Sequence, residues 1–178
     1  MPEELEVPTE HLHETIHEQA EREGRTWILA VALSTAVLAV LAAITSLLAG
    51  HYANEAMIEQ IRAADQWAYY QAKGIKLAVL ESKMELLETL GQAGNGTDGE
   101  KAEEYKVQQK EIQEKAEEKE KSSEHHLRHH NTLAKAVTLF QIAIAVAAIS
   151  VLTRKKWMWF GSLMLGSAGL IIFVLGVI

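Results

Sequence analysis

The longest uncharged run in the sequence restricts the fold most strongly. Trp27 to Ala49 is a stretch of 23 residues without a charged side chain. Spanning a bilayer takes roughly 20 apolar residues, whereas apolar runs of about 10–14 are more typical of buried helices in soluble proteins. Residues 157–178 are also uncharged, and 133–153 hold one charge, Lys135, close enough to the end to reach the headgroups. The sequence therefore predicts three transmembrane helices, over residues 27–50, 134–153 and 157–178.

The segments outside these spans are charged and predicted to be helical. Residues 1–26 hold eight acidic and two basic side chains, and a cap at Thr9 predicts a short polar helix that ends near Gly24. Residues 51–133 repeat apolar side chains every three or four positions, and four of their five glycines lie in a predicted turn at 91–99. The predicted fold is an all-α membrane protein. A long antiparallel helical hairpin, a coiled coil, projects from the bilayer between the first and second spans.

Charge and composition narrow the classes of function. The net charge of −7 and the acidic water-facing segments argue against nucleic acid as a partner and against docking of these segments on anionic lipid. No serine has a histidine at a meaningful spacing, and paired buried carboxylates are missing, so we expect no enzyme and no catalytic residue. The short basic turn Arg154–Lys156 favours a cytoplasmic position, with the N-terminus inside and the hairpin outside. Basic residues near the membrane ends of the hairpin favour the reverse, with less weight because that segment is long and acidic.

Four histidines form the sharpest cluster of metal-ligand side chains. Their spacing of four places His125 over His129 and His126 over His130 on adjacent faces of one helix. Imidazole pairs bind Zn or Cu when further ligands converge, and folding the hairpin about its glycine-rich turn would bring Asp65 to His125. The plainer interpretation, a polar and titratable patch near the membrane, is favoured by the sequence.

Two further groups of residues predict contacts with other chains or a pore. Aromatic side chains and small residues at helical spacing predict contacts with partners or copies, since aromatics dominate interfaces and small residues let helices approach closely in lipid. These residues are Trp67, Tyr69, Tyr70, Ala36, Ala43, Gly166 and Gly169. For the aromatic group, packing inside the hairpin or between subunits is the plainer interpretation, and the sequence favours it over docking of a partner. In an oligomer, Thr138 and Gln141 are the polar residues of the second span that would line a pore.

One stretch resembles a known family. Asn54-Glu55-Ala56 and the string from Asp65 to Lys73 (DQWAYYQAK), placed just after the first span, resemble the bacterial membrane family called domain of unknown function 4337. Gly74 follows, where we expect serine in that family. The polar N-terminus, charged middle and terminal pair of spans are similar as well. The resemblance implies a multi-pass protein of the bacterial inner membrane and carries over no activity.

The expected function is therefore a non-enzymatic, homo-oligomeric scaffold. Its expected partners are the lipid bilayer, further copies of the chain and a protein bound to the projecting hairpin. No cofactor is expected unless the histidine cluster binds Zn or Cu. Two alternatives remain open from the sequence: an oligomeric pore or lipid-filled channel, and a membrane protein that responds to metal or pH.

Overall fold

Three helices make up the described part of the chain. The computed structural model describes residues 9–92 and 96–178, with side chains from Gly24 onward. The helices are α1 (Thr9–Thr89), α2 (Gly96–Thr153) and α3 (Lys156–Val177), and the described residues contain no strand. Each helix is long and apolar enough to cross a membrane, as the sequence predicts. Residues 1–8 of the predicted acidic segment and 93–95 of the predicted turn lie outside the described residues.

The predicted N-terminal helix is not a separate element. α1 passes Gly24 without a break, so the polar helix expected to end there is the first part of an 81-residue helix. A single glycine in a helix interior costs only about 1 kcal/mol relative to alanine, which neighbouring residues with good helix propensity offset.

Both long helices end in the same backbone motif. At the end of α1, Gly91 has a φ of 65°, and Gln92 N–H donates to the Leu87 carbonyl at 3.0 Å. At the end of α2, Arg154 has a φ of 53°, and Lys155 N–H donates to the Ser150 carbonyl at 3.1 Å. These bonds close Schellman caps, which normally take glycine at the left-handed position. The basic turn therefore begins with an arginine in a backbone conformation that favours glycine.

The predicted spans form one compact unit, called unit 1 here. It comprises α1 up to Leu47, α2 from Thr132, and α3. Its core surrounds Phe140, which is fully buried, together with Leu38, Ala42, Ala136 and Ala143. The buried face of α3 consists of small residues: Ser162, Gly166, Gly169 and Gly176. Small side chains on that face let α3 lie close to its two neighbours, which is how helices gain packing energy in lipid.

Residues Leu48–Asn131 form a second compact unit, called unit 2. Its contacts pair α1 with α2 in reverse order: Ala49 with His130, Ala56 with Ser123, Tyr70 with Gln109, and Lys83 with Asp98. The buried positions are mostly small, namely Ala56, Ala63, Ala102, Ile112 and Ala116. Small side chains let two helices pack closely along their length without a third helix.

The pairing register in unit 2 differs from the one expected from the sequence. The Ala56–Ser123 and Ala49–His130 pairs are both centred between residues 89 and 90, whereas the sequence interpretation folds the chain about Asn95. The reason is that α1 ends at Thr89, before the middle of the glycine-rich segment. Register in a helix pair follows side-chain packing along the helices, and the loop only has to connect their ends.

Candidate functional site

A cluster of aromatic rings lies at one end of unit 2. The His129 imidazole stacks on the Tyr52 ring with centroids 5.0 Å apart, and His126 lies 6.0 Å from the same ring. His125 and His129 have ring centroids 4.6 Å apart, as their spacing of four predicts. His51, beside Tyr52 on α1, is 5.8 Å from it. The cluster therefore contains three imidazoles next to one phenol, supplied by both long helices, and a fourth, His125, that contacts His126 and His129.

A backbone hydrogen bond fixes the tautomer of the fourth histidine of the predicted cluster. The His130 Nδ1 lies 2.8 Å from the Ala49 carbonyl oxygen. A carbonyl can only accept, so Nδ1 must carry the hydrogen and Nε2 is left as an acceptor. His126 Nδ1, in contrast, is buried and has no hydrogen-bond partner among the described residues.

The structure does not assemble the predicted metal site. Across residues 9–92 and 96–178, no group of three or more His, Asp or Glu side chains is placed to hold a metal ion. Tyr52 lies against His129, and Trp67, two residues after Asp65, donates a hydrogen bond to Glu120. The described contacts therefore do not bring Asp65 to His125, for the reason of register given above.

An ion-pair network is the clearest electrostatic feature of unit 2. The carboxylate of Glu59, whose residue is only 6% exposed, accepts a hydrogen bond from Arg62 at 2.6 Å and lies 3.2 Å from the Lys119 ammonium. Burial of this carboxylate raises its pKa, but the hydrogen bonds and charges of Lys119 and Arg62 outweigh that effect, and the net pKa of Glu59 lies below its usual value of 4.5. Glu59 is therefore an anion that ties α1 to α2.

Two of the three predicted aromatic contact residues are used inside unit 2. Trp67 Nε1 donates to a Glu120 carboxylate oxygen at 2.8 Å, and its ring meets the edge of Tyr70 at 5.6 Å. Tyr69 is 50% exposed, with the Lys73 ammonium 5.4 Å from its ring centroid. Packing within the helix pair thus accounts for Trp67 and Tyr70, and Tyr69 remains at the surface.

The predicted contact and pore residues of unit 1 separate into two sets. Gly166 and Gly169 are buried within the chain, where an added Cβ would come within 2.7 Å of Leu38 and 3.0 Å of the Phe140 ring. The other four are all exposed in the single chain: Ala36, Ala43, Thr138 and Gln141. The glycines therefore serve packing between helices of one chain, and the exposed set is accessible to lipid or another molecule.

Comparison with known families now identifies the relationship. The family model described as Domain of unknown function (DUF4337) matches residues 27–178. The chain belongs to this family. The resemblance inferred from residues 54–56 and 65–73 is thereby confirmed.

The DUF4337 match extends over all of unit 2 and over all three apolar runs. It starts at Trp27, where the first apolar run begins, and leaves out the acidic residues before it. Searches of curated proteins and of solved structures each gave no match. The site contacts of this DUF4337 chain therefore have to be interpreted from its own residues.

Two residues central to these contacts escaped the sequence analysis. Tyr52 and Glu59 lie in one row of α1 with Ala49, Ala56 and Ala63, at alternating spacings of three and four. That row packs against α2 inside unit 2. The signal was present in this spacing, but the row contains few large apolar side chains. A more apolar row on another face of α1 masked it.

Proposed function

We propose that this chain is a non-enzymatic membrane scaffold that assembles with copies of itself through α1. One observation carries the proposal: α1 bears a second row of residues at heptad-like spacing, and in the single chain that row is exposed along unit 2. We call it the outer row. It consists of Ile58, Ile61, Asp65, Ala68, Ala72, Ile75, Val79, Ser82 and Leu86.

The outer row is more apolar than the row that packs inside unit 2. Ile61 is 56% exposed, Ile75 67%, Val79 65% and Leu86 60%. Contiguous apolar stripes of this kind are uncommon on soluble surfaces, where they mark binding sites. Alternating spacings of three and four are the pattern that places side chains in the seam of a coiled coil. A second copy of α1 would cover the row with matching side chains.

The same spacing continues into the first predicted span with small residues. Ala32, Ala36, Ala39, Ala43 and Ser46 are exposed in unit 1. In lipid there is little hydrophobic gain from association, so helices associate where small side chains let backbones approach closely. The small residues of α3 are already occupied within the chain, whereas those of α1 are available to another copy.

The membrane placement is part of the same proposal. Residues 54–133 hold sixteen acidic and eleven basic side chains, a density that belongs in water, whereas the three apolar runs are suited to lipid. We place the runs across a bacterial inner membrane and unit 2 outside it, projecting as a coiled-coil hairpin. The basic turn at Arg154–Lys156 and the N-terminus then lie in the cytoplasm.

The first experiment measures the mass of the assembly. The purified full chain is reconstituted in nanodiscs or detergent, and its protein mass is measured by light scattering over a range of concentrations. We expect the natural chain to be oligomeric. The double substitution Ile75→Lys, Val79→Lys is expected to lower the mass, because it places charges in the seam. Val107→Lys is the matched control, since Val107 is 53% exposed on α2, outside the outer row. A strict monomer at every concentration contradicts the proposal.

Cysteine substitution locates the interface. The chain has no cysteine, so Ala36→Cys and Ile75→Cys each introduce one thiol on the proposed α1 interface. Mild oxidation is expected to give a covalent dimer for both. Glu103→Cys, an exposed position on α2, is the control and is expected to remain monomeric on a denaturing gel. Equal cross-linking at all three positions would indicate random collision.

An oligomeric pore is the second candidate, and Gln141 is the observation that favours it. This polar residue lies within the second apolar run and is exposed in the single chain, as is Thr138 one turn away. An amide facing lipid is unfavourable, so it is better placed against another copy or lining a channel. The test is single-channel conductance of the reconstituted chain. Conductance is expected to change in Gln141→Leu, and conductance unaffected by that substitution counts against the pore.

The histidine cluster supports a third, weaker candidate, a response to metal or pH. Among the described residues of a single chain, no group of three or more His, Asp or Glu side chains is placed to hold a metal ion, so a Zn or Cu site would need a residue from a second copy. A pH response would use the same imidazoles, of which His125 and His129 have ring centroids 4.6 Å apart. Calorimetry with Zn²⁺ and Cu²⁺ compares the natural chain with a variant carrying alanine at all four predicted positions. Identical heats for the two proteins dismiss metal binding.

A further inference from the structure

A cavity in unit 1 lies between the first turns of α1's apolar run and the start of α3. It is open to its surroundings on one side, has a volume of about 420 Å³, and is lined by Thr26, Trp27, Ala30, Lys156, Trp159 and Phe160. Trp27 is the first residue of the apolar run, and Lys156 is the first residue of α3. In the proposed membrane placement, the cavity lies at the level of the lipid headgroups.

The lining combines one cation with three aromatic rings. Lys156 supplies the charge, and Arg154 and Lys155 precede it directly in the chain. Trp27, Trp159 and Phe160 supply the aromatic walls. Tryptophan is enriched at the membrane–water interface because its ring is apolar and its N–H is polar. The cavity thus offers a positive charge next to surfaces that suit the glycerol and upper acyl region of a lipid.

The two tryptophans of the cavity differ in their hydrogen bonds. Trp159 Nε1 donates to Ser34 Oγ at 3.1 Å. Trp27 Nε1 is buried and has no hydrogen-bond partner among the described residues. Because that nitrogen is buried, a group in the cavity cannot reach it, and Trp27 contributes only its ring to the lining. The Lys156 ammonium is the charged group that the cavity offers, and it favours a ligand with negative charge.

We propose that this cavity binds the phosphate-bearing headgroup of an anionic phospholipid. The Lys156 ammonium binds the phosphate oxygens, and the aromatic walls contact the glycerol backbone. Charge complementarity favours this ligand, because the basic turn that ends in Lys156 is positively charged in an otherwise acidic chain and lies, in the proposed placement, at the level of the headgroups. The inference rests on the proposed membrane placement and is independent of self-assembly, so a monomeric chain tests it equally well.

The experiment counts lipids bound to the full chain. Native mass spectrometry is performed on protein in detergent, titrated with phosphatidylglycerol or with phosphatidylcholine of the same acyl chains. We expect the natural chain to bind the first phosphatidylglycerol about fivefold more tightly than the choline lipid, the effect of roughly one cation at an anionic surface. Lys156→Gln is expected to remove that preference. Lys155→Gln is the matched control and is expected to retain it.

A second pair of variants tests the aromatic wall separately. Trp27→Ala removes one wall of the cavity and is expected to weaken phosphatidylglycerol binding severalfold. Trp157→Ala, at a 70% exposed position outside the lining, is expected to leave binding unchanged. Thermal melts of all four variants establish that each is folded. Should Trp27→Ala be unfolded, the lysine pair still decides the outcome.

Three results would overturn the proposal. Equal losses in Lys155→Gln and Lys156→Gln would indicate diffuse attraction to the basic turn. Equal binding of the choline lipid would indicate an apolar groove without phosphate selectivity. Full competition by glycerol phosphate at the same concentration would identify a soluble phosphate compound as the ligand. Failure of the chain to enter detergent micelles or nanodiscs would instead refute the membrane placement itself.

Discussion

The same two helices pair in both units of the molecule, but only unit 1 has a third helix. In unit 1, α3 lies against α1 and α2 and buries its small residues, and Phe140 is fully enclosed. In unit 2, α1 and α2 pack on each other through alanines, and the outer row of α1 is uncovered. A pair of helices can bury one face of each member only. In unit 1, α3 completes this packing, whereas in unit 2 the outer row is left uncovered and is the surface on which we propose that another copy binds.

The two units also satisfy polar groups differently. Several hydroxyls in unit 1 donate to carbonyls of their own helix, as with Thr45 to Leu41 at 2.6 Å and Ser150 to Ala147 at 2.6 Å, although Ser162 has no partner among the described residues. The ion pairs described here lie in unit 2, and two of them meet at Glu59. Polar groups in lipid have to find their hydrogen-bond partners within the protein, because lipid supplies none. We therefore expect the stability of unit 1 to depend mainly on how its side chains fit together, and that of unit 2 to depend also on its charged side chains.

The largest expected change in the free energy of unfolding is for a substitution in the core of unit 1. Phe140→Ala removes a fully buried ring and is expected to lower the free energy of unfolding by about 3–5 kcal/mol, from lost burial and the cavity left behind. Phe160→Ala makes the same chemical change at a 59% exposed ring and is expected to change it by less than about 0.5 kcal/mol. Unfolding of the full chain in detergent, followed by circular dichroism, measures both. Similar losses for the two variants would contradict the assignment of Phe140 as the core of unit 1.

A glycine-to-alanine pair compares packing in the two units directly. At Gly169, the added Cβ would lie 3.0 Å from two ring atoms of Phe140 and 3.3 Å from Leu139 Cβ, so Gly169→Ala is expected to destabilise by about 1–3 kcal/mol. At Gly74, the Cβ would meet only the Gln109 amide nitrogen, at 2.8 Å, which is the mobile end of a side chain. Gly74→Ala should therefore stabilise by up to about 1 kcal/mol, through helix propensity.

The same denaturation experiment measures the two glycine variants. The decisive result is whether each substitution raises or lowers the free energy of unfolding. If Gly169→Ala is as stable as the natural chain, α3 does not lie as close to α2 as described. If Gly74→Ala is strongly destabilising, the Gln109 side chain is held more rigidly than its hydrogen bond to the Tyr70 carbonyl, at 3.4 Å, indicates.

Two buried serines, one in each unit, provide a smaller expected change in the free energy of unfolding. Ser123 Oγ donates to the Ala56 carbonyl at 2.8 Å and joins the two helices of unit 2. Ser162 Oγ, in unit 1, is buried without a hydrogen-bond partner among the described residues. Ser123→Ala is expected to cost about 1 kcal/mol, and Ser162→Ala is expected to be neutral or slightly stabilising, because it removes an unpaired polar group. A destabilising Ser162→Ala would show that its hydroxyl has a bonding role.

The spans were predictable because their sequences contain two independent signals. Length without charge identifies the spans, and the small residues Ser162, Gly166, Gly169 and Gly176 identify the buried face of α3 by spacing alone. What the sequence could not indicate was whether that face meets the same chain or another copy. The interpretation of Gly166 and Gly169 as contacts between copies therefore differs from their position here, against Phe140 and Leu38.

Unit 2 was harder to predict, because α1 carries two rows at heptad-like spacing. The outer row has the larger apolar side chains, such as Ile75 and Val79, so hydrophobicity alone favours it as the core. The structure uses the row with Ala56 and Ala63 instead, because small residues let α2 approach closely. The described contacts do not join Asp65 to His125 for a related reason, since the midpoint of a loop does not set the register of the helix pair. A chain-internal interface of alanines and one glutamate has a weak sequence signature.

The smallest expected effect tests the charge sensitivity of unit 2 through pH. Because the pKa of Glu59 is lowered in the folded chain, ionised Glu59 stabilises the fold. This contribution is complete above the ordinary pKa of 4.5 and is lost as the pH falls through the lowered folded value. Melting temperatures of the natural chain and Glu59→Gln are measured from pH 7 downwards. We expect the natural chain to melt higher at pH 7 and the difference to shrink steadily below pH 4.5.

The control for this prediction is another carboxylate of α1. Glu81 also pairs with a lysine of α2, Lys106 at 3.2 Å, but its side chain is 48% exposed and water screens the interaction. Glu81→Gln is expected to follow the natural chain at every pH. If Glu59→Gln and Glu81→Gln have the same melting temperatures at every pH, burial of the Glu59 ion pairs does not increase their contribution to stability. In that case, charged side chains would not contribute more to the stability of unit 2 than ordinary surface ion pairs do.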